Sequence, residues 1–406
     1  MARDLPQIAL DMPSEVRDVL RSLGRTEDVR LAPDGRRVAI ACYWRDAIAV
    51  GDVELARTPS GPVAALTRLE LLSSPVLREP HGLDWRDDET LVVANRAGGV
   101  ALLRLADGAL APIGTPVDMD APGSLVVRPL DDGSHEVLVC ENWRNEIARL
   151  VLDEHGDMRV APAHQRAWLD LPDGVALGRD SRWLAVSNHN THAVLVFDRE
   201  AGENGGPAAV LRGVDYPHGL RFAADDRMLL VADAGAPHVH VFARPAAVWC
   251  GASFPAATVA VLDDPTFRRG RHNPMEGGPK GIDLDPSTDV LMVTCEELPL
   301  AFFDAAELLG RPEELGVDAD ALLRHELEAL GAMQRERQET DRARAELAAV
   351  VGTKAWRLTA PARSLYGGLR GAARRGRSPG DLATAGEVSP REAVEPSRQR
   401  AAHRPG

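Results

Sequence analysis

PHGLRFAADDRMLLVADAGAPHVHVFAR, running from Pro217 to Arg244, divides into three short strands joined by two turns. Apolar and polar residues alternate through GLRFA, an Asp-Asp pair makes a turn, and the apolar run MLLVA follows, closed by Asp233. Five residues further on, HVHVFA alternates again. Alternation on both sides of an Asp-rich turn is the signature of antiparallel hairpins.

The same pattern recurs on either side. PHGLDWRDDETLVVAN starts at Pro80, PGSLVVRPLDDGSHEVLVCEN at Pro122, PDGVALGRDSRWLAVSN at Pro172 and PKGIDLDPSTDVLMVTCEE at Pro279. DVRLAPDGRRVAIACYW, from Asp28, is a degenerate sixth copy. The glycines near the repeat starts, Gly82, Gly123, Gly174, Gly219 and Gly281, are 41, 51, 45 and 62 residues apart. Periods of roughly 40 to 50 residues with about four strands each describe propeller blades. The expected fold is therefore all-β, a six-bladed β-propeller over residues 28–304. A two-sheet sandwich would not explain the recurring strand start.

Composition agrees with this reading. Only 4% of the 406 residues are aromatic, so burial must come from Val, Leu, Ile and Ala, which suits closely packed strands. The net charge of -14 argues against nucleic acid as a partner of the main body. No apolar run approaches the roughly 18 residues that span a bilayer. Residues 1–27 lack the basic start and apolar core of a secretory leader, which points to the cytoplasm. Cys42, Cys140, Cys250 and Cys295 lie far apart without a CxxC pair and read as reduced thiols. No phosphate-cradling loop, nucleophile elbow or HExxH helix is present.

Pro172–Arg199 and Pro217–Arg244 resemble NHL-type blades. The stretch from 28 to 304 as a whole is similar to the six-bladed superfamily of NHL-repeat, strictosidine synthase-like and gluconolactonase (regucalcin) proteins. That superfamily holds lactonases, lyases and plain binding modules, so the resemblance implies a fold before it implies an activity.

Within each blade, the residue before the inner strand faces the mouth of the central channel. In the P-x-G frame it is His81, Asp173, His218 and Lys280, while Pro122-Gly123 has no intervening residue and Glu27-Asp28 stands near the first copy. Two imidazoles and a carboxylate suit a divalent metal, so His81, Asp173 and His218 are candidate metal ligands. The resemblance to gluconolactonases implies a divalent metal held by Glu and Asn/Asp at blade starts, and Asp173 matches such a PDG position. The resemblance to NHL-type lyases implies functional histidines, which His81 and His218 match. The alternative is a hydrogen-bonded, solvated channel lining. Lys280 suits an anionic substrate better than a cation.

Leading into Lys280 is FRRGRHNPMEGGP, Phe267–Pro279, where Arg268, Arg269, Arg271 and His272 could clamp an anion over the same mouth. A solvated loop is the alternative. A further polar residue closes the second strand of each repeat, at Tyr43, Asn95, Glu141, Asn188, Asp233 and Glu296, and reads as turn hydrogen bonding. NHNTH, Asn188–His192, fits a strand-to-strand loop or a binding segment.

Beyond the repeats, residues 305–351 are rich in Glu, Leu, Ala and Arg and read as an α-helical extension. Lys354–Gly406 carries +7, leaving -21 on the first 353 residues. Residues 352–377 include GTKAWRLTAPARSLYGG and resemble the WRLTAP segment that ends many bacterial glycosyltransferases and cell-surface polysaccharide proteins. This resemblance implies a setting in bacterial glycan biosynthesis. The segment would dock on a protein partner or on an anionic membrane surface, giving a peripheral position at the inner membrane. Residues 378–406 read as disordered. The expected function is a ligand-binding or scaffolding propeller taking a small anionic molecule, with a metal-dependent gluconolactonase-like hydrolase or NHL-type lyase as the alternative.

Overall fold

The computed structural model describes residues 3–164, 168–202, 205–244 and 248–310, together with Arg342. All its strands lie in the first of two compact units, residues 1–335. The expected helical extension, the WRLTAP-type segment and the tail fall almost wholly outside the described residues. Among the described residues no helix is long and apolar enough to cross a membrane.

Six sheets form the six blades of a β-propeller. Blade 1 runs from Thr26 to Ser73, blade 2 from Pro80 to Val117 and blade 3 from Pro122 to His164. Blades 4 and 5 start at Pro172 and Pro217, and blade 6 spans Ile282 to Asp304. The central strands bury both faces, as Thr90–Asn95 and Trp183–Asn188 do along their whole length. Each sheet is packed against two neighbours, which is why these strands read as continuous apolar runs. The core is accordingly divided into wedges between blades. One wedge sets Val38 and Ile40 of blade 1 against Met292 and Phe302 of blade 6. Another sets Ala39 and Ile48 of blade 1 against Leu83 and Val93 of blade 2. Small branched side chains fill such thin layers, in keeping with the low aromatic content.

Three features depart from a simple repeat. The first inner strand begins at Thr26, two residues before the expected start. In blade 5 the chain detours after Ala243, so that Gly251–Ser253 pairs in parallel with Ala209–Leu211 on the outer edge of blade 4. Among the described residues blade 6 has three strands of its own.

The N-terminal segment makes up the deficit. Arg3–Asp4 pairs in parallel with the outer strand of blade 5, at Val259 and Ala260. Gln7 bridges Phe303 of blade 6, where Ile8 N donates to Phe302 O at 2.8 Å and Asp304 N to Pro6 O at 2.9 Å. Leu10–Asp11 then pairs in parallel with Ala64 and Ala65 of blade 1. A helix, Ser14–Ser22, packs Val16 and Leu20 inward before the chain enters blade 1. Residues 3–12 are thus a strap across three consecutive outer edges, laid over the point where the ring closes.

Candidate functional site at the channel mouth

The strand registers define the ring at the mouth. Pro80 pairs with Asn95, Pro172 with Asn188 and Pro217 with Asp233, and the residues that follow the prolines are His81, Asp173 and His218. In blade 1 the equivalent pair is Thr26 with Cys42, so Glu27 takes the ring position. Tyr43 therefore lies one residue beyond the polar column in which the sequence alignment set it. In blade 3 Pro122 pairs with Glu141, which puts Gly123 in the ring position and Ser124 where blades 2, 4, 5 and 6 have glycine. A side chain at Gly123 would run into Asn142 Oδ1 at 2.6 Å and Asp173 Oδ1 at 2.9 Å. Lys280 completes the ring from blade 6, its amide donating to Thr294 O at 2.8 Å. At Gly174 the inner strands approach so closely that a Cβ would collide with the carbonyl of His218, the situation that selects glycine.

A second circle comes from the residues just past the second strands. Arg96 Nη2 lies 2.6 Å from His81 Nε2 and donates to Asp173 Oδ1 at 3.0 Å. Asn142 Nδ2 donates to the same Asp173 oxygen at 2.8 Å. His189 is stacked on Tyr216 with ring centroids 4.0 Å apart, and its Nε2 is 3.7 Å from Asp173 Oδ2. Trp44 and Trp143, two residues past Cys42 and Glu141, stand on the rim at 56% and 63% exposure.

His81 and His218 come from blades opposite each other in the ring, yet their imidazoles stack with centroids 5.2 Å apart. His218 Nε2 lies 2.9 Å from Asp173 Oδ2 and 3.6 Å from Glu27 Oε2. His81 Nε2 is 3.7 Å from that Glu27 oxygen and 3.8 Å from Asp173 Oδ1. Lys280 Nζ sits 3.1 Å from Glu27 Oε2 and 2.7 Å from Glu276 Oε2, and Arg25 ion-pairs with Glu27. Glu27, His81, Asp173, His218 and Lys280 are all buried.

Charge is distributed unevenly among these groups. Burial pushes the Glu27 carboxyl up, but Arg25, Lys280 and the two histidines outweigh it and hold the group below the usual carboxylate range. Burial likewise raises Asp173, and His218, His81 and His189 bring it well down. Burial, followed by Arg96, lowers His81 to about 3, and burial lowers His189 to about 4. His218 goes the other way: burial disfavours its charge, but Asp173 and Glu27 prevail and raise it. His218 therefore lies between two carboxylates that favour its charged form, flanked by two imidazoles whose charged forms burial disfavours. Arginine has no acceptor, so His81 must present the lone pair of Nε2 to Arg96 and carry its proton on Nδ1. That Nδ1 has no hydrogen-bond partner, nor do Glu27 Oε2, Asp173 Oδ2 and His189 Nε2.

The donor set can be compared with what a divalent cation requires. One ligand atom each from Glu27, His81 and His218 lies within 4.8 Å of the others. Bonds of about 2.0 to 2.2 Å set tetrahedral ligand atoms about 3.4 Å apart, close to the two Glu27–His separations. Glu27 Oε2, which accepts no hydrogen bond, is available to such an ion, although the Lys280 ammonium lies 3.1 Å from it. The spacing suits a cation with Glu27 as its carboxylate, while Asp173, 2.9 Å from His218 Nε2, competes with such an ion for that nitrogen.

The structure brings together His81, Asp173, His218 and Lys280 from the sequence-named set. The arginine loop is placed differently. Arg268 pairs with Asp264 at 3.4 Å on an exposed helical turn, and Arg269 with Glu297 at 3.5 Å. Arg271 donates to Pro274 O and lies over the Phe267 ring. His272 sits 3.6 Å from Glu296 and edge-on to Trp44. The residue this loop sends into the ring is Glu276. Arg25, Arg96 and Asn142 stand in no P-x-G frame and carry no signal of their own, Glu27 is marked only by its place beside the first copy, and Glu276 only by the loop before Lys280. The polar column that ends the second strands, with the NHNTH segment, is the legible sign of the second circle, since Arg96, Asn142 and His189 each follow it by one residue.

Residues 5–124, covering most of the strap, blades 1 and 2 and the start of blade 3, match the family described as the lipoprotein LpqB beta-propeller domain (Gmad1). The comparison with curated proteins returned no match. Among solved structures, a functionally unknown protein from Desulfotomaculum acetoxidans is 13% identical over 66% of this chain and 79% of its own, with a TM-score of 0.46. A protein assigned as a gluconolactonase is 14% identical over 69% of this chain and 88% of its own, with a TM-score of 0.43. A protein assigned as a 6-phosphogluconolactonase, from Bacteroides fragilis, is 13% identical over 71% of this chain and 82% of its own, with a TM-score of 0.45. The chain is a six-bladed β-propeller.

Proposed function

We propose that the channel mouth binds a small anionic molecule against a divalent cation held by Glu27, His81 and His218. The observation that carries this reading is the convergence of three donor atoms from three blades on one buried point, with Glu27 Oε2 lacking a hydrogen-bond partner. A bound divalent cation supplies Lewis acidity, polarising a carbonyl or ester oxygen. The chain's own residues do the rest. Arg25 and Lys280 keep Glu27 ionised. Lys280, Arg25 and Arg96 give the mouth the positive potential that an anion needs. The exposed faces of Trp44 and Trp143 offer apolar surface beside it.

Hydrolysis or a lyase reaction at this site is a second reading, supported by His189. Burial disfavours the charged form of this imidazole, and its Nε2 has no hydrogen-bond partner, which leaves the nitrogen free to meet a substrate proton. The setting in cell-surface polysaccharide assembly, and docking of residues 352–377 on a partner or membrane, is a further part of the proposal. It rests on the WRLTAP-type segment alone.

Metal analysis tests the reading. The protein supplemented with Zn²⁺ or Mn²⁺ and then desalted should retain about one equivalent, as a three-ligand protein site predicts. Glu27→Gln and His218→Ala should each lose it while still unfolding cooperatively. A wild-type protein that retains no metal after supplementation would overturn the proposal.

A further inference from the structure

Arg96 occupies one of the atoms that a cation needs, as Lys280 approaches Glu27 Oε2 and Asp173 approaches His218 Nε2. The Arg96 Nη2 lies 2.6 Å from His81 Nε2, and the His81 tautomer turns that nitrogen's lone pair toward the guanidinium. The same group donates to Asp173 Oδ1 at 3.0 Å, and its Nη1 donates to Ala121 O at 3.3 Å. One lone pair cannot serve both a guanidinium hydrogen and a metal ion. A divalent cation beside Glu27, His81 and His218 would also repel the guanidinium at close range, in a setting with little water to screen it.

The Arg96 side chain is 21% exposed, as is that of Arg25, so of the groups touching His81 and Asp173 it has a way out to the rim. Glu27, His81, Asp173 and His218 are 0 to 5% exposed in their side chains and come from the inner strands. Arg96 follows a strand end and has a long, flexible stem. Once displaced, it would leave Asp173 and carry an unpaired positive charge at the mouth, where an anion would be its natural partner.

We infer that Arg96 is a built-in competitor that keeps the cation site closed until an anionic group draws its guanidinium off His81. This rests on the cation reading above and adds to it a coupling: cation and anion bind better together than either does alone, by the same factor in each direction.

The test is calorimetric Mn²⁺ binding to the full chain and to Arg96→Met, which keeps the length of the side chain without its charge or donors. The variant should bind Mn²⁺ at least about 10-fold more tightly than the wild type, within the range of ordinary coupling energies. Sulfate, exchanged for chloride at constant ionic strength, should tighten Mn²⁺ binding to the wild type and leave the variant unchanged. Thermal melts of both proteins without metal control for folding. A variant that binds Mn²⁺ equally or more weakly overturns the inference while leaving the cation site standing. A wild type indifferent to sulfate overturns the release by anions. If neither protein binds Mn²⁺, the inference fails together with the proposed site.

Discussion

Deleting residues 1–12 is expected to lower the unfolding free energy by about 4 kcal/mol and to make the protein aggregate. Leu5, Ile8, Leu10 and Met12 are half-buried against the wedges beneath blades 5, 6 and 1. A fully buried side chain of this kind contributes about 1.5 to 3 kcal/mol, so half burial gives about 1 kcal/mol each. The strap also covers the outer strand Ala257–Ala260 and bridges Ala301–Asp304 and Gly61–Ser73. Removing it leaves edges with free N–H and C=O groups, ready to pair with another chain. Urea unfolding followed by tryptophan fluorescence, with light scattering of the native protein, checks both parts. A truncated protein that unfolds at the same urea concentration and stays monomeric would show that the strap contributes nothing.

Neutralising Glu136 is expected to have the next largest effect on stability, a loss of about 3 kcal/mol for Glu136→Gln, in line with breaking a buried charged network. The carboxylate is 1% exposed. It accepts from Arg128 Nε at 2.5 Å and Arg149 Nε at 2.6 Å within blade 3, and from Arg199 Nη2 at 2.8 Å in blade 4. The glutamine would leave three guanidinium groups around a neutral amide. Burial pushes this carboxyl up, but the arginines outweigh it and bring it from 4.5 to about 2.

Because the folded value is the lower one, the unfolded chain binds more protons in the interval between the two. The stabilisation is therefore complete above about pH 4.5 and is lost as pH falls toward about 2. The difference in unfolding free energy between wild type and Glu136→Gln should be largest near neutrality and shrink as pH is lowered below about 4.5. Urea titrations at a series of pH values measure it directly. A difference that stays constant down to the acid limit of the fold would rule out the charge as its source.

Much of the architecture is legible in short stretches. Alternation, Asp-rich turns and closing polar residues are local signals, and they recur often enough to fix the blade as the unit. The P-x-G frame carried this further, since a glycine is needed where Gly174 passes the His218 carbonyl. Thus His81, Asp173, His218 and Lys280 could be named as ring members before any coordinates. Blade 3 shows the limit of that frame. Pro122-Gly123 looks like a copy with one residue missing, but its register gives a full-length copy with glycine in the ring position.

The sequence by itself determined the repeating hairpins, their number and the four ring residues set in the P-x-G frame. All of these depend on neighbours a few positions apart. The tertiary structure alone decided which groups share the centre, because ring closure brings distant segments together. Glu27 and Lys280 are 253 residues apart in the chain and meet through hydrogen-bonding atoms 3.2 Å apart. Glu27 has neither proline nor glycine beside it, and it became a ring residue only through the pairing of Thr26 with Cys42. Arg96, Asn142 and His189 each follow the polar residue that closes a second strand, so the repeat marks their positions, but only the closed ring turns them onto Asp173. Glu276 reaches the ring on a loop whose arginines turn outward. The strap belongs to the same class, since residues 3–12 find their partners only once blades 5, 6 and 1 stand side by side.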